Sequence, residues 1–320
     1  MAALPAFCFG FIEDLTKRVS VRTRLLATMA SGVMAWLLMD ISITHTGLWG
    51  IDTALAWLPF SVLFTSFAVG GVANAVNIID GFNGLASGTV AICIFALGMI
   101  ASQVGDSALA TMCFVTCAAI AGFLVVNFPF GKLFLGDGGA YMLGFLLAWL
   151  AIMLPARNPS VSVWASFLVC GYPIFETMFT IARRVWTRTH PGLADSSHLH
   201  SLVKVGVSDQ LFAGLRPQFA NALVSPFCWA IAALAATLAV RHAGDTGALV
   251  LATVSSFLVY LGCYWGVTKA ASQSVRKPAR PPLTIVASNK IDKFAKSKTY
   301  VSGNPEPSVD DDDIVRARMG

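Results

Sequence analysis

The sequence predicts an all-α fold, a polytopic transmembrane helical bundle of about eight spans. Three observations predict it. Of the 320 residues, 56% are apolar when Tyr is counted. Only 12% are charged, about half the roughly 25% of a soluble globular domain. The mean hydropathy is +0.70, and the apolar residues run in unbroken stretches near the ~20 helical residues that cross a hydrocarbon core. This composition excludes a disordered chain, a coiled coil and an ordinary cytosolic enzyme.

Taken in order, residues 1–12 are apolar but too short to span, and no basic segment precedes them, so they read as the remnant of a preceding transmembrane helix rather than a signal peptide. Spans are then expected at 24–41, 54–76, 84–102, 107–127, 139–154, 161–181, 219–240 and 246–268. The membrane domain thus covers 13–270. Residues 271–320 change character: they hold Lys and Arg, Pro281-Pro282 and the acidic run Asp310–Asp313, and read as a disordered tail. All seven cysteines lie in apolar stretches without a CxxC pair, the pattern of buried thiols rather than disulfides or zinc ligands.

Alternation of these spans fixes an orientation. Of the 22 Lys and Arg residues, only Arg157 and Arg241 fall in loops on the side opposite Lys17, Arg18, Arg22 and Arg24. The positive-inside rule makes the rich side, including the tail, cytoplasmic. The same bias accounts for most of the net charge of +5 and removes any need for a nucleic-acid partner.

The polar segments on that side carry the chemistry. In 10–24, Glu13 and Asp14 are adjacent, and adjacent carboxylates demand a cation or cationic side chains, which Lys17, Arg18, Arg22 and Arg24 could supply. The loop 74–88, NAVNIIDGFNGLASG, holds Asn74, Asn77, Asp80 and Asn83. Asn77, Asp80 and Asn83 are spaced by three and would share one face of a helix. Such groups at the edge of hydrocarbon suggest a polar ligand or cation, although Gly and Asn would also serve a helix end and turn. In 127–144, NFPFGKLFLGDGGAYMLG, Asn127, Lys132 and Asp137 lie among glycines. Asp137 could cap a helix, or with Lys132 hold a magnesium-bridged phosphate. The loop 182–218 brings Arg183, Arg184, Arg188, His190, Asp195, His198, His200, Lys204 and Arg216. With no third ligand near His198 and His200, a diphosphate fits it better than zinc. Glu176 is an intramembrane acid and so a candidate, or a partner for Arg183.

Together, in this order, these segments resemble the membrane-embedded polyprenyl-phosphate N-acetylhexosamine-1-phosphate transferases. The pattern is an acidic pair, NAxNxxDGxxGLA, NxxPxxxxFxGDxG and a late histidine motif, matched over about residues 10–270. The ADSSHLH form is similar to the branch that starts O-antigen and other surface polysaccharides. The resemblance implies that undecaprenyl phosphate attacks the β-phosphate of a UDP-N-acetylhexosamine, releasing UMP, in a bacterial inner membrane with the site cytoplasmic. It implies Mg2+, or Mn2+ in its place, held by Asp137 and Asp14. It implies catalytic roles for Asp14, Glu13, Asp80 and Asp137, and substrate-binding roles for Asn77, Asn83, Asn127, Lys132, His198 and His200. Membrane lipid and, by analogy, a homodimer are the implied partners.

Three departures from the pattern stand out. Glu13 replaces an Asp of many relatives, Asn83 replaces a second Asp, and relatives carry further spans before the acidic pair where this chain has residues 1–12. That shortness sets up the rival expectation of a truncated, inactive member that binds lipid or a partner. A transporter is the other rival, but it would spread its acids across membrane depth.

Overall fold

The computed structural model describes residues 1–188, 195, 197–208 and 217–276. The expectations for His190, Arg216 and the tail from 277 onward lie outside the described residues.

The chain is helical throughout the described residues. A short helix α1 (Leu4–Thr16) leads into α2 (Val21–Met39), started by the Ser20 hydroxyl, which accepts the Thr23 N–H at 3.2 Å. A single turn-rich helix α3 (Trp49–Leu55) precedes α4 (Leu58–Ile78), which opens at Pro59. Helices α5 (Leu85–Gln103), α6 (Ser107–Asn127) and α7 (Gly136–Arg157) follow as an up-and-down set. Then come α8 (Val163–Val169), α9 (Gly171–Thr187) and the short α10 (Leu199–Val203), which continues into a π-turn at Lys204–Ser208. Helices α11 (Pro217–Ala222), α12 (Val224–Arg241) and α13 (Thr246–Arg276) complete the described chain.

Helices α5 and α7 form the centre. Of their most apolar stretch, 72% and 67% of residues are buried, against 22% in α6. The packing against α7 depends on missing side chains. A Cβ on Gly144 would stand 2.5 Å from the Ala73 Cα, and one on Gly10 would stand 2.7 Å from the backbone of Asp137 and Gly138. Helices α4 and α1 therefore lie directly on α7, as small residues permit in membrane bundles.

Among the described residues, six helices are long and apolar enough to cross a membrane, and α8 and α9 reach that length and composition only as a pair, bent by 75° at Cys170. The stretch expected to span at 161–181 is thus two helices with a sharp bend between them. Pro173 has no N–H for the carbonyl of Val169, and the Cys93 thiol donates to that carbonyl instead at 3.0 Å. The expected first span is the 19-residue helix α2, but it does not reach the same apolar content, because Arg22, Thr23, Arg24, Thr28, Ser31 and Gly32 interrupt it. The second begins only at Leu58, after the separate helix α3. The last helix runs past residue 270 to Arg276.

The alternation of spans is visible in cross-links at the far end. Arg157 at the end of α7 grips Asp106 at the start of α6, with Nε 2.7 Å and Nη2 2.9 Å from its two oxygens. The Ser162 N–H reaches the Ala243 carbonyl, and the Trp164 indole N–H reaches the Thr46 carbonyl. The opposite end collects residues 13–24, 79–84, 128–135, 195 and 197–208.

Gly144→Ala should lower stability by about 1–3 kcal/mol through overpacking against Ala73. Gly262→Ala, where a Cβ meets nothing within 4 Å, should leave stability unchanged or raise it. Thermal unfolding of the two variants in one detergent checks the contrast.

Candidate active site

The site is built on the start of α7. Gly136 takes a left-handed φ of +68° and turns the chain into the helix. The N–H groups of Asp137 and Gly138 then point outward without intrahelical partners. Asp14, from the end of α1, accepts both, at 2.9 Å and 3.0 Å. A carboxylate there satisfies two donors and also meets the positive end of the helix dipole. The cap of α7 is therefore Asp14 rather than Asp137.

Asp137 sits in the first turn of α7 with its own oxygens directed across the bundle. One accepts the Asn77 amide Nδ2 at 3.0 Å, and the other pairs with Arg24 Nη1 at 2.6 Å. The Asn77 amide is itself oriented, because its Oδ1 accepts the Tyr141 hydroxyl at 3.2 Å. Arg24 also lies 3.7 Å from Glu13, whose other oxygen accepts the Val19 N–H at 2.7 Å. Lys17 stands 3.7 Å from Asp14. Basic residues of 17–24 do therefore neutralise the acidic pair, and Arg24 carries that charge onward to Asp137. The sequence offered Arg24 only as one of four basic residues, and Tyr141 carried no signal beyond a place beside the GDGG turn.

Asn77, Asp80 and Asn83 do not share a helix face. Helix α4 ends at Ile78, so Asn77 lies on the helix and the other two in the turn that follows. Asp80 lines a small open cleft with Gly81, Phe82, Asn83, Asn127, Phe134 and Leu135. Burial first, then the charges of Asp137 and Asp14, push the Asp80 carboxyl up to about 7. Asn83 and Asn127 shape this cleft. Asn83 Nδ2 donates to the Pro129 carbonyl at 3.0 Å. The buried Asn127 amide accepts the Gly84 N–H and donates to the Leu133 carbonyl. Helix α12 locks the same turn from behind: Ser225 Oγ donates to the Asn83 carbonyl and Trp229 Nε1 to those of Gly84 and Leu85. Lys132 is exposed at the rim, with Nζ 5.6 Å from the centre of the Phe130 ring.

The histidines close the far side. The rings of His198 and His200 stack with centres 5.2 Å apart and planes 9° from parallel. His200 is buried, and its Nε2 lies 3.2 Å from where a Cβ on Gly81 would stand. Among the described residues its Nδ1 has no hydrogen-bond partner. Burial pushes the His200 imidazole down to about 4, with the His198 charge adding and Glu176 and Asp195 opposing. Glu176 does not pair with Arg183. It binds His198, while Arg183 and Arg184 hold Asp195. Burial works to raise Asp195, but the Ser197 N–H and Arg183 outweigh it and hold the carboxyl at about 2.

Among the described residues, no three His, Cys, Asp or Glu side chains form a metal cage by themselves. The carboxylates still suit a hard cation completed by phosphate oxygens, because Mg2+ takes one or two carboxylates plus phosphate. Asp80 shows the fit: it faces the charges of Asp14 and Asp137, and a cation would relieve that repulsion.

Carboxylates and an arginine at a helix start thus lie beside a cleft and a pair of stacked histidines at one end of the bundle. Residues 1–155 match the model of glycosyl transferase family 4. That match places the first 155 of the chain's 320 residues, which carry the acidic pair and both polar loops, in that family. It is 32% identical over 161 residues to a Bacillus subtilis protein named "Probable undecaprenyl-phosphate N-acetylglucosaminyl 1-phosphate transferase", covering 49% of this chain and 44% of that one. It is 24% identical over 292 residues to an Escherichia coli O157:H7 protein named undecaprenyl-phosphate alpha-N-acetylglucosaminyl 1-phosphate transferase, covering 87% of this chain and 78% of that one. The like-named Salmonella typhi protein is 25% identical over the same length, with 87% and 77% covered. The chain thus spans under half of the Bacillus relative and about three quarters of the enterobacterial ones.

A buried neutral His200 has a consequence for stability. Its folded value of about 4 lies below the ordinary 6.5, so the unfolded chain binds the extra proton between these limits. The stabilisation is present above about pH 6.5 and is lost as pH falls toward about 4. Melting temperatures measured across that window should fall less steeply in His200→Gln than in the wild type.

Proposed function

We propose that this protein transfers a HexNAc-1-phosphate from a UDP-N-acetylhexosamine to undecaprenyl phosphate, releasing UMP and forming the lipid-diphosphate-sugar that begins a cell-surface polysaccharide. The observation that carries the reading is the meeting of Asp14, Asp80 and Asp137 with Arg24, Asn77 and the histidine segment at one end of the bundle. The names of the relatives support it, since each printed name is an undecaprenyl-phosphate N-acetylglucosaminyl 1-phosphate transferase.

In the reaction an oxygen of the lipid phosphate bonds to the β-phosphorus of the donor. The bond from that phosphorus to the bridging oxygen breaks, and UMP leaves with the oxygen. The nucleophile is already ionised, so the work left to the protein is positioning and charge neutralisation. Asp137, with Asp14 beside it, would hold Mg2+, which neutralises the diphosphate when bound. Asn77 and Arg24 fix the Asp137 carboxylate, and Asp14 fixes the helix start that carries it. Asp80 and Glu13 complete the acidic wall. His198 and His200 approach the diphosphate from the Gly81 side, and Lys132 offers a positive charge at the rim. Asn83 and Asn127 keep the cleft open through backbone contacts. The excess of Lys and Arg at this end supports placing it on the cytoplasmic side of a bacterial inner membrane.

Membranes containing the protein should release UMP from a UDP-N-acetylhexosamine only when undecaprenyl phosphate and Mg2+ are both supplied. Asp137→Ala should reduce that release by at least about 100-fold, the scale of losing a principal electrostatic group. Wild-type membranes that release no UMP under these conditions would refute the reading, and release unchanged in Asp137→Ala would refute the site.

A further inference from the structure

Glu176 is completely buried in α9, and among the described residues no Lys or Arg pairs with it. A carboxylate withdrawn from water costs several kcal/mol unless hydrogen bonds replace its hydration. Three groups replace it here. Oε1 lies 3.0 Å from His198 Nδ1 and accepts the Leu199 N–H at 3.2 Å, and Oε2 accepts the Tyr260 hydroxyl at 2.9 Å. The Leu199 N–H is the first free donor of α10, so Glu176 starts that helix as Asp14 starts α7.

What this carboxylate holds is the histidine segment. Binding at Nδ1 fixes the plane of the His198 ring and leaves Nε2 as the ring nitrogen that Glu176 does not engage. His200 stacks on that ring and reaches Gly81, the neighbour of Asp80. Among the described residues, two further groups lie beside this imidazole. Thr180 Oγ1 is 3.3 Å from the same Nδ1, and Asp195 is 3.9 Å from Nε2 but is held by Arg183 and Arg184. Tyr264 ties down the Ser197 carbonyl from α13.

We propose that Glu176 is a positioning residue for sugar-phosphate transfer, orienting His198, and through the stacked pair His200, toward the diphosphate of the donor. It acts through His198 and does not touch substrate. The inference rests on the transferase reading above.

The test uses the full chain in lipid nanodiscs, with UDP-N-acetylglucosamine and undecaprenyl phosphate as probes and UMP as readout. Glu176→Gln keeps the size but loses the charge and one acceptor. It should lower kcat by about 10–100-fold, the usual cost of removing a partner that orients a working histidine. The KM for the UDP-sugar should stay within about threefold. Glu176→Asp should recover part of the lost kcat. In a His198→Asn background, Glu176→Gln should cost no more than about twofold further, because the group it positions is gone. Losses that multiply in the double variant, or a kcat that Glu176→Gln leaves unchanged, would overturn the inference. If Glu176→Gln does not fold, as judged by melting in detergent, the cycle is read with Glu176→Asp, where multiplied losses again overturn it. A wild-type chain without lipid-dependent UMP release fails the transferase reading itself, which the other outcomes leave standing.

Discussion

The architecture of the site depends on one carboxylate at one helix start. Asp14 occupies the two exposed N–H groups of α7, and α7 is among the most buried helices of the bundle. Without that cap the first turn has unsatisfied donors next to hydrocarbon, where water is scarce and such groups are costly. The cap also fixes where Asp137 sits, because Asp137 is the very residue whose N–H is held. Its side chain must then point across to Asn77 on α4 and Arg24 on α2. A single contact between the end of α1 and the start of α7 thereby sets the relation of four helices. Gly10 and Gly136 allow it, since a Cβ at either would strike the other partner.

The same device appears again on the other side of the cleft. Glu176 starts α10 and holds His198, just as Asp14 starts α7 and places Asp137. Between the two lies the turn 79–84, which neither carboxylate touches. That turn is held through its backbone by Asn127, Ser225 and Trp229. The effect is a division of labour. Rigid helix ends carry the charged groups, and a turn clamped by neutral side chains carries Asp80, the acid that burial and its neighbours push toward neutrality. Clamping with neutral groups matters there, because a further negative charge beside Asp80 would raise it more and a fixed positive one would pull it back down.

Much of this was legible in the sequence, for reasons that differ by element. The span expected at 107–127 is α6 residue for residue, because its apolar run is uninterrupted and Asp106 marks its start. The bend at Cys170 was hidden, because Gly171 and Pro173 lie inside an apolar run and composition does not register a turn there. Helix α2 was read as an equal of the others, although its polar residues face inward to Asn74, Ala6 and Asp137 rather than to lipid. In the site, residue types and loop grouping could be read, but partners could not. The three-residue spacing of Asn77, Asp80 and Asn83 suggested a helix face, and the helix ends after the first of them. The Glu176 contact spans 22 residues to His198 and 84 to Tyr260, a tertiary fact that local spacing does not encode.

The asparagine at position 83 shows how a departure from a family pattern can be a requirement of local geometry. Its Nδ2 donates to the Pro129 carbonyl, and its side chain fills the space that a Cβ on Gly131 would need. An aspartate in this place would set a carboxylate oxygen against a carbonyl oxygen, with no donor between them. It would also add a further negative charge to a turn where Asp80 already feels Asp14 and Asp137. Either effect alone opposes the clamp, and the second grows with the low dielectric of a buried cleft. The asparagine keeps the loop 128–131 against the turn 79–84 while leaving the acidic charge to Asp80. On this geometry the neutral residue is the one that fits, and the acid that carries charge in this turn is Asp80.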